Sequence, residues 1–344
     1  MDIYVLNKNL EVIAVIDSYK SLIWTKRYYT YGDFELYIPT DKKLLNYLKE
    51  DYLLIRDNDD SVMIIEKIEI TTSLEEGVFF IITGRSLESI LTRRIIWTQT
   101  NISTSNPVNG ILRLINENAI NPSLTNRKIS NLSFDSSFSL SATLNVQMTG
   151  DILMDAITKI CKEFGIGFKM ILKNGIFVCS CYQGEETEVI FSKEFDNLIS
   201  SDYISDFTNY KNCGLVAGEG EGTARKTTPI WNTSSEPSGL DRRETYIDAR
   251  DISTNDGEIT ESEYISKLSQ RGKEKLNDFI ATKSFESEIE TRMTYKYKVD
   301  YNLGDLVTIE NEFGIISNPR IIEIIESWDE TGYSVIPTFE EEVL

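Results

Sequence analysis

Residues 24–39, WTKRYYTYGDFELYIP, leave the chain few ways to fold. Phe34, Leu36 and Ile38 alternate with Glu35 and Tyr37, the two-residue period of a strand with one buried face. Pro39 then ends the ladder, because proline has no N–H to donate. A first strand from Trp24 and a turn at Tyr31-Gly32-Asp33 complete the unit. Residues 82–96, ITGRSLESILTRRII, answer it as a buried strand ending at Gly84 and a short helix. Leu87, Ile90 and Leu91 face inward on that helix. Arg93 and Arg94 close it, at the end where its dipole favours cations.

Residues 1–84 repeat the strand pattern throughout. Runs 3–6 and 12–16 flank Asn7-Lys8-Asn9 as a hairpin. After Pro39 a helix is expected with Leu44, Leu45 and Leu48 inward and Thr40 or Asp41 as cap. Further strands fall at 52–56, 62–72 and 77–84, the last two joined at Glu75-Glu76-Gly77. Past Trp97, Ser, Thr and Asn dominate 98–109 and 121–147, with a helix between them carrying Ile111, Leu114 and Ile115 inward. Between Gly150 and Gly165, Ile152, Leu153, Ala156, Ile157 and Ile160 form a helical stripe, and Gly165 stands where a helix-ending glycine belongs. Strands at 166–171 and 176–182 follow, turned at Lys173-Asn174-Gly175. Strands return from about 196. Thr260 and Glu263 form a capping box for a helix running towards Phe279, and a last β region covers 315–328 and 333–339. The fold class is α+β, mainly β: barrel-like domains at 1–97 and 196–344, the second with one long helix, flank a helix-containing α/β insertion at 98–195.

Composition narrows the chemistry. The 344 residues suit two or three domains, and 41% hydrophobic with 10% aromatic content supplies buried cores. A net charge of −20 argues against a phosphate-neutralising surface. The absence of histidine removes the commonest general base and the usual zinc ligand. Cys161, Cys179, Cys181 and Cys213 form no C-x-x-C pair; Cys179 and Cys181 share one strand face and read as reduced core residues. The start of the chain has no signal-peptide pattern, and no apolar run is long enough for a membrane segment. GEGEG at 218–222 carries Glu219 and Glu221, which repel phosphate, so it reads as a strand end with close backbone approach. Asp57-Asn58-Asp59-Asp60 lacks the glycine and distal glutamate of a calcium loop and reads as a hairpin turn. Tyr28, Tyr29 and Tyr31 read as amphipathic tyrosines at a barrel surface or subunit contact. No catalytic, cofactor or metal residue is assigned.

These motifs resemble the siphophage ReqiPepy-type hub-like tail protein family, related to the baseplate hub and tail-associated proteins of tailed phages. The resemblance is carried by Trp24, Gly32, Phe34, Leu36 and Pro39 in the first segment, and by Gly84, Leu87, Arg93 and Arg94 in the second. Gly218, Gly220, Gly222 and Arg225 match a glycine-rich strand end. YNLGDLVTI at 301–309 supplies Leu303, Gly304 and Asp305; RIIEIIE at 320–326 supplies Arg320 and Glu323; VIPTF closes at 335–339. The match is strong over 1–97 and 285–339, thinner over 196–226 and poor in the insertion. The family has a glycine after the final Phe, whereas Glu340 follows Phe339 here.

The resemblance implies a non-enzymatic virion component at the tail tip or baseplate, made in the host bacterial cytoplasm. It implies a homotrimeric hub that adapts a hexameric tail tube to the tip and lets DNA pass without specific binding. The implied partners are the distal tail or tail-tube ring, the tape measure protein, and tip, fibre or receptor-binding proteins. With few residues after Phe339, receptor binding and wall cleavage are expected to fall to those docked proteins. Part of the negative charge is expected to line the lumen, the alternative being its spread over the outer surface. Two other classes stay open: a cell-wall-degrading tail enzyme, which needs a perturbed carboxyl in a cleft, and a carbohydrate-binding adhesin, which needs an exposed aromatic platform.

Overall fold

The structure, a computed structural model, describes residues 1–39, 44–73, 77–254, 259–289, 295–314 and 316–340. Alternation in the N-terminal part becomes β1 (Ile3–Leu6), β2 (Val12–Ile16), β3 (Ser21–Arg27), β4 (Asp33–Pro39), β5 (Leu53–Arg56), β6 (Met63–Ser73) and β7 (Gly77–Ser86). They pair antiparallel in the order β3-β4-β7-β6-β5-β1-β2. Their inward side chains meet in one core that includes Trp24, Phe34, Leu36, Leu54, Ile65 and Phe80. The expected hairpin joins β1 to β2, and the Asn7 side chain closes its turn by accepting from the N–H groups of Asn9 and Glu11.

The insertion follows as β8 (Thr100–Thr104), α1 (Pro107–Ile115), β9 (Leu132–Phe134), β10 (Leu144–Met148), α2 (Leu153–Phe164), β11 (Gly167–Lys173) and β12 (Ile176–Tyr182). Asn106 caps α1 by accepting from Val108 N–H. Gly165 ends α2 at φ 63°, a left-handed conformation open to glycine. Asn174 and Gly175, both at positive φ, make the two-residue turn between β11 and β12. The helices and β11–β12 share a second core with Leu87, Leu91, Cys161, Cys179 and Cys181.

β13 (Glu186–Ser192) and β14 (Leu198–Asp206) then lead into a compact unit spanning Tyr203–Ser284. There β15 (Cys213–Ala217) lies between β16 (Thr227–Trp231) and β17 (Glu244–Asp248), and α3 (Glu261–Asn277) packs on them through Tyr264, Leu268 and Leu276. The Thr260–Glu263 capping box is formed in both directions. β18 (Thr282–Ile289) returns the chain to the other unit, Met1–Asp202 with Phe285–Leu344. The chain closes with β19 (Leu306–Glu310), β20 (Ile316–Ser317), β21 (Arg320–Asp329) and β22 (Gly332–Glu340). β21 pairs with β22 on one side and with β3 on the other, so both ends of the chain share one sheet.

Several local expectations are corrected. The β3–β4 connection is no tight turn at Tyr31-Gly32-Asp33 but runs over 28–32, because beyond Trp24 the strand β3 pairs with β21 instead of β4. Its Tyr28 and Tyr29 are consequently buried against the insertion and not at the surface. Among the described residues, the helix expected after Pro39 is a 3-10 turn, Leu44–Asn46, and it goes no further because Asp51 N–H and Tyr52 C=O already bond Ile65. Thr40, Asp41, Glu75 and Glu76 lie outside the described residues. Strand β7 continues past Gly84 to Ser86, where Ser86 N–H bonds Gly32 C=O, and the following helix is 3-10 over Leu87–Arg93. Finally, Pro319 splits the expected strand 315–328 into β20 and β21.

Gly84 shows why glycine is required inside a central strand. It stands opposite Ile65 at the bulge in β6, and a Cβ there would sit 1.8 Å from the Ile64 carbonyl oxygen. Backbone cannot yield as a side-chain tip can. Gly84→Ala is therefore expected to cost about 3 kcal/mol or more, read as a lower urea midpoint by tryptophan fluorescence.

Candidate functional site

Two strands from distant parts of the chain bring oppositely charged side chains to one buried place. Arg56 ends β5 at 4% exposure, and Glu326 lies in β21 at 3%. The Arg56 guanidinium is held between the rings of Trp24 and Trp328, 4.7 Å from each centroid. Its Nη2 donates to both Glu326 and Asp59. Asp59 also accepts from Lys26 Nζ at 2.7 Å, Lys298 Nζ at 2.9 Å and Ser61 N–H at 2.8 Å. Tyr333 donates its hydroxyl to Glu326 Oε1 at 3.0 Å, and Trp24 Nε1 donates to Ser61 Oγ at 2.8 Å. Burial alone would raise the Asp59 pKa, but Lys26 and Arg56 hold it far below the usual carboxylate range. Burial lowers the Lys26 pKa, and attraction to Asp59 offsets this only in part.

Beside this network opens a cleft of about 760 Å³, lined by Lys26, Asp59, Glu88, Lys169, Tyr182 and Tyr297 among others. Glu88 is the perturbed carboxyl in it: burial pushes its pKa up, against bonds from Ser86 Oγ and Met170 N–H. The Met170 bond caps an outward N–H of β11, an edge strand of the β11-β12-β9 sheet, so Glu88 pins the insertion to the 3-10 helix after β7. The four cysteines are free and buried, and burial raises the Cys181 thiol to about 12 and those of Cys161 and Cys179 well above their ordinary value. Among the described residues no group of His, Cys, Asp and Glu is arranged to hold a metal ion.

The residues singled out in sequence gather at several places. Trp24, Phe34 and Leu36 lie in the first core, and the Gly32 N–H donates to Ser86 Oγ at 2.8 Å. Pro39 ends β4, and Leu87 is buried in the second core. Arg93 pairs with Asp51 at 2.9 Å, and Arg94 donates from Nε to the Arg127 carbonyl at 2.7 Å. Leu303, Gly304 and Asp305 form a turn against Tyr28. Gly304 has φ +99°, and a Cβ there would meet the Tyr28 ring at 2.3 Å. Asp305 accepts from the N–H groups of Glu185 and Asn302, and Arg320 Nη1 donates to the Gly304 carbonyl at 2.6 Å. Glu323 accepts from Arg27 Nε, whose Nη1 reaches Asp33.

In the Tyr203–Ser284 unit, Gly218 makes room for Tyr264, whose hydroxyl accepts from Glu219 N–H and donates to the Ile252 carbonyl. Gly220 and Gly222 have positive φ, and Arg225 donates to the Gly220 carbonyl and the Tyr246 hydroxyl.

Sequence reasoning passed over Arg56, Glu88 and Glu326, and it read Asp59 as a turn residue and Tyr28 as a surface tyrosine. A signal was present for two of them: Arg56 and Glu326 each interrupt an apolar strand, LLIR and RIIEIIE, on its buried parity. Their pairing across 270 residues had no local trace. Removing the cation leaves the buried Glu326 with the Tyr333 hydroxyl and Lys26 at 4.0 Å in place of a guanidinium, while Asp59 keeps Lys26 and Lys298. Arg56→Leu is therefore expected to destabilise by about 3–5 kcal/mol. The depressed Asp59 pKa contributes stability that is complete above the ordinary carboxylate pKa of about 4 and is lost as pH falls below it. Melting temperature against pH should fall below about pH 4, and Asp59→Asn should flatten that limb.

The fold is that of phage tail proteins. A 43 kDa tail protein of prophage MuSo2 from Shewanella oneidensis superposes with a TM-score of 0.64 at 12% identity, over 99% of this chain and 98% of the other. A tail protein from Neisseria meningitidis MC58 gives 0.59 at 13% identity, over 99% and 96%. Prophage tail protein gp18 from Listeria monocytogenes EGD-e gives 0.58 at 13% identity, over 100% and 96%. No curated protein matches in sequence. The family model described as Siphovirus ReqiPepy6 Gp37-like protein matches residues 2–339, almost end to end, and the chain belongs to that family.

Proposed function

We propose that the chain is a structural subunit of a phage tail tip or baseplate, a trimeric hub that joins the tail tube to the tip and lets DNA pass. The observation that carries this reading is the end-to-end match to a tail protein family, in a chain whose fold is shared with phage tail proteins. The buried network supports it, since its charges are spent on joining strands. A homotrimer docked to the tube ring, the tape measure protein and separate tip or receptor-binding proteins follows from the same reading. The net charge of −20 per copy suits a lumen along which DNA slides without trapping contacts. Antibody labelling of intact particles is expected to mark the tail tip, and electron microscopy to resolve three copies there. Labelling confined to the capsid or the tail shaft would sink the hub.

One observation favours a second reading, a wall-degrading enzyme: Glu88 is a carboxyl of raised pKa in a polar cleft. Its two oxygens already accept from Ser86 and Met170, however, which suits a strut better than a proton donor. A raised pKa in an acid means that folding gains stability as pH falls through the folded value, so the neutral amide should fit as well as the carboxylate. Glu88→Gln is expected to leave stability at pH 7 equal or higher, and wild type and variant alike should give no clearing on cell-wall zymograms. Clearing by the wild type that vanishes in Glu88→Gln establishes the enzyme instead.

A further inference from the structure

Two exposed features of the Met1–Asp202 and Phe285–Leu344 unit are apolar at the centre and opposite in the charge around them. The first is a projecting apolar tip. The β19–β20 hairpin carries Phe313 at 82% exposure and Ile316 at 63%. Parallel pairing of β13 with β19 puts Ser192 opposite Glu310, and Lys193 bonds Glu312 at 3.3 Å, which brings Phe195, 55% exposed, to the same end. Glu194, Asp196, Glu310 and Glu312 neighbour these side chains along the chain, with Lys193 as the cation among them, so the tip carries an excess of acid. The second feature is a groove of about 360 Å³ floored by Leu10, Ile90, Ile129 and Phe177. Lys8, Arg93 and Arg94 rim it, and Asp51 is its one acid, shared by Lys8 and Arg93 at 3.1 and 2.9 Å. The rim is therefore basic.

The exposure of Phe313 shows that the tip does not fill the groove of its own chain. Strand order separates them: the tip hangs from β19 beyond β21, while the groove is built at β5 and β6, with β3, β4 and β7 between. We propose that the Phe313 tip of one copy seats in the Leu10–Phe177 groove of the next, with the acidic collar against the Lys8, Arg93 and Arg94 rim. The occupant is a second copy because apolar knob and apolar groove, acid and base, are all present on one chain. An interface of this head-to-tail kind propagates, and it closes into a ring when its rotation permits. Closure at three copies rests on the hub reading above; the contact itself does not. An aromatic anchor in an apolar pocket with a charged rim is the arrangement that concentrates binding energy.

The test uses the full chain and light-scattering mass over a concentration series at low and high salt. Wild type is expected to self-associate, more weakly as salt rises. Phe313→Ser and Arg93→Glu should each weaken association by about tenfold or more. The double variant Arg93→Glu/Glu312→Arg should recover a large part of the loss, which a merely structural role for Arg93 would not produce. Thermal melts of every variant confirm that the fold persists. Unchanged association in Phe313→Ser, failure of the charge-reversed pair to recover, or a monomer at every concentration each overturns the proposed contact. None of these removes the hub reading, which stands or falls on labelling at the tail tip; a trimer indifferent to both substitutions keeps the hub and moves its interface elsewhere.

Discussion

Everything in the larger unit depends on holding a sheet whose strands come from both ends of the chain, and the Arg56 guanidinium is the clamp. β21 reaches the N-terminal strands only along β3, with Trp24 directly opposite Glu326. Register along such a pairing must be fixed, since a slip of one residue turns every side chain to the wrong face. Hydrophobic contacts tolerate sliding more readily than a buried ion does. Arg56, flanked by one tryptophan from β3 and one from β21 and bonded to Glu326 and Asp59, fits only one register. A buried ion pair is weak evidence for net stability, because desolvation consumes most of the attraction. Its value here is specificity.

The positions carried by family resemblance and the clamp share Trp24 and otherwise differ. Several of the former are glycines where backbone meets backbone or a ring: Gly84 against Ile64, Gly304 against Tyr28, Gly218 against Tyr264. A side chain at any of these would push strands apart, so they set distance. The charged residues set register and angle. Arg320 and Asp305 belong to both groups, for they bind the carbonyl and N–H groups around the Gly304 turn and so tie the segment at Gly184 to the C-terminal strands.

Much of the fold was legible because its signals are local. Period-two runs marked β1 to β7 within a few residues, Gly165 and the Thr260–Glu263 box marked two helix ends, and Asn174-Gly175 marked a turn. Apart from the break that Pro319 makes locally before β21, the failures share a cause: a distant partner overrode the local choice. Pairing with β21 opened the turn expected at Gly32, and the bonds of Asp51 and Tyr52 to Ile65 cut short the helix after Pro39. The tyrosines at 28 and 29 followed the same rule, amphipathic in sequence but covered by an insertion whose packing no nearby residue announces. Asp59 read as one turn acid among several, and only the approach of Lys26, Arg56 and Lys298 distinguishes it.

This architecture has a consequence for how the chain folds. β3 and β21 are separated by nearly the whole sequence, and loop closure over such a span must be completed before their contacts contribute. The intervening Tyr203–Ser284 segment has its own sheet, capped helix and core, so it can form early and shorten the effective loop. The clamp, by contrast, can assemble only after its N-terminal members have long been made, since Lys298, Glu326 and Tyr333 follow Lys26, Arg56 and Asp59 by more than two hundred residues. Until then β3 has an unpaired edge along Leu22–Arg27 and the Arg56 guanidinium lacks Glu326. A truncated chain would expose that edge to other chains, the hazard that pairing with β21 removes. The buried charges thus serve as a check on completion: the sheet is locked only when both ends of the chain are present.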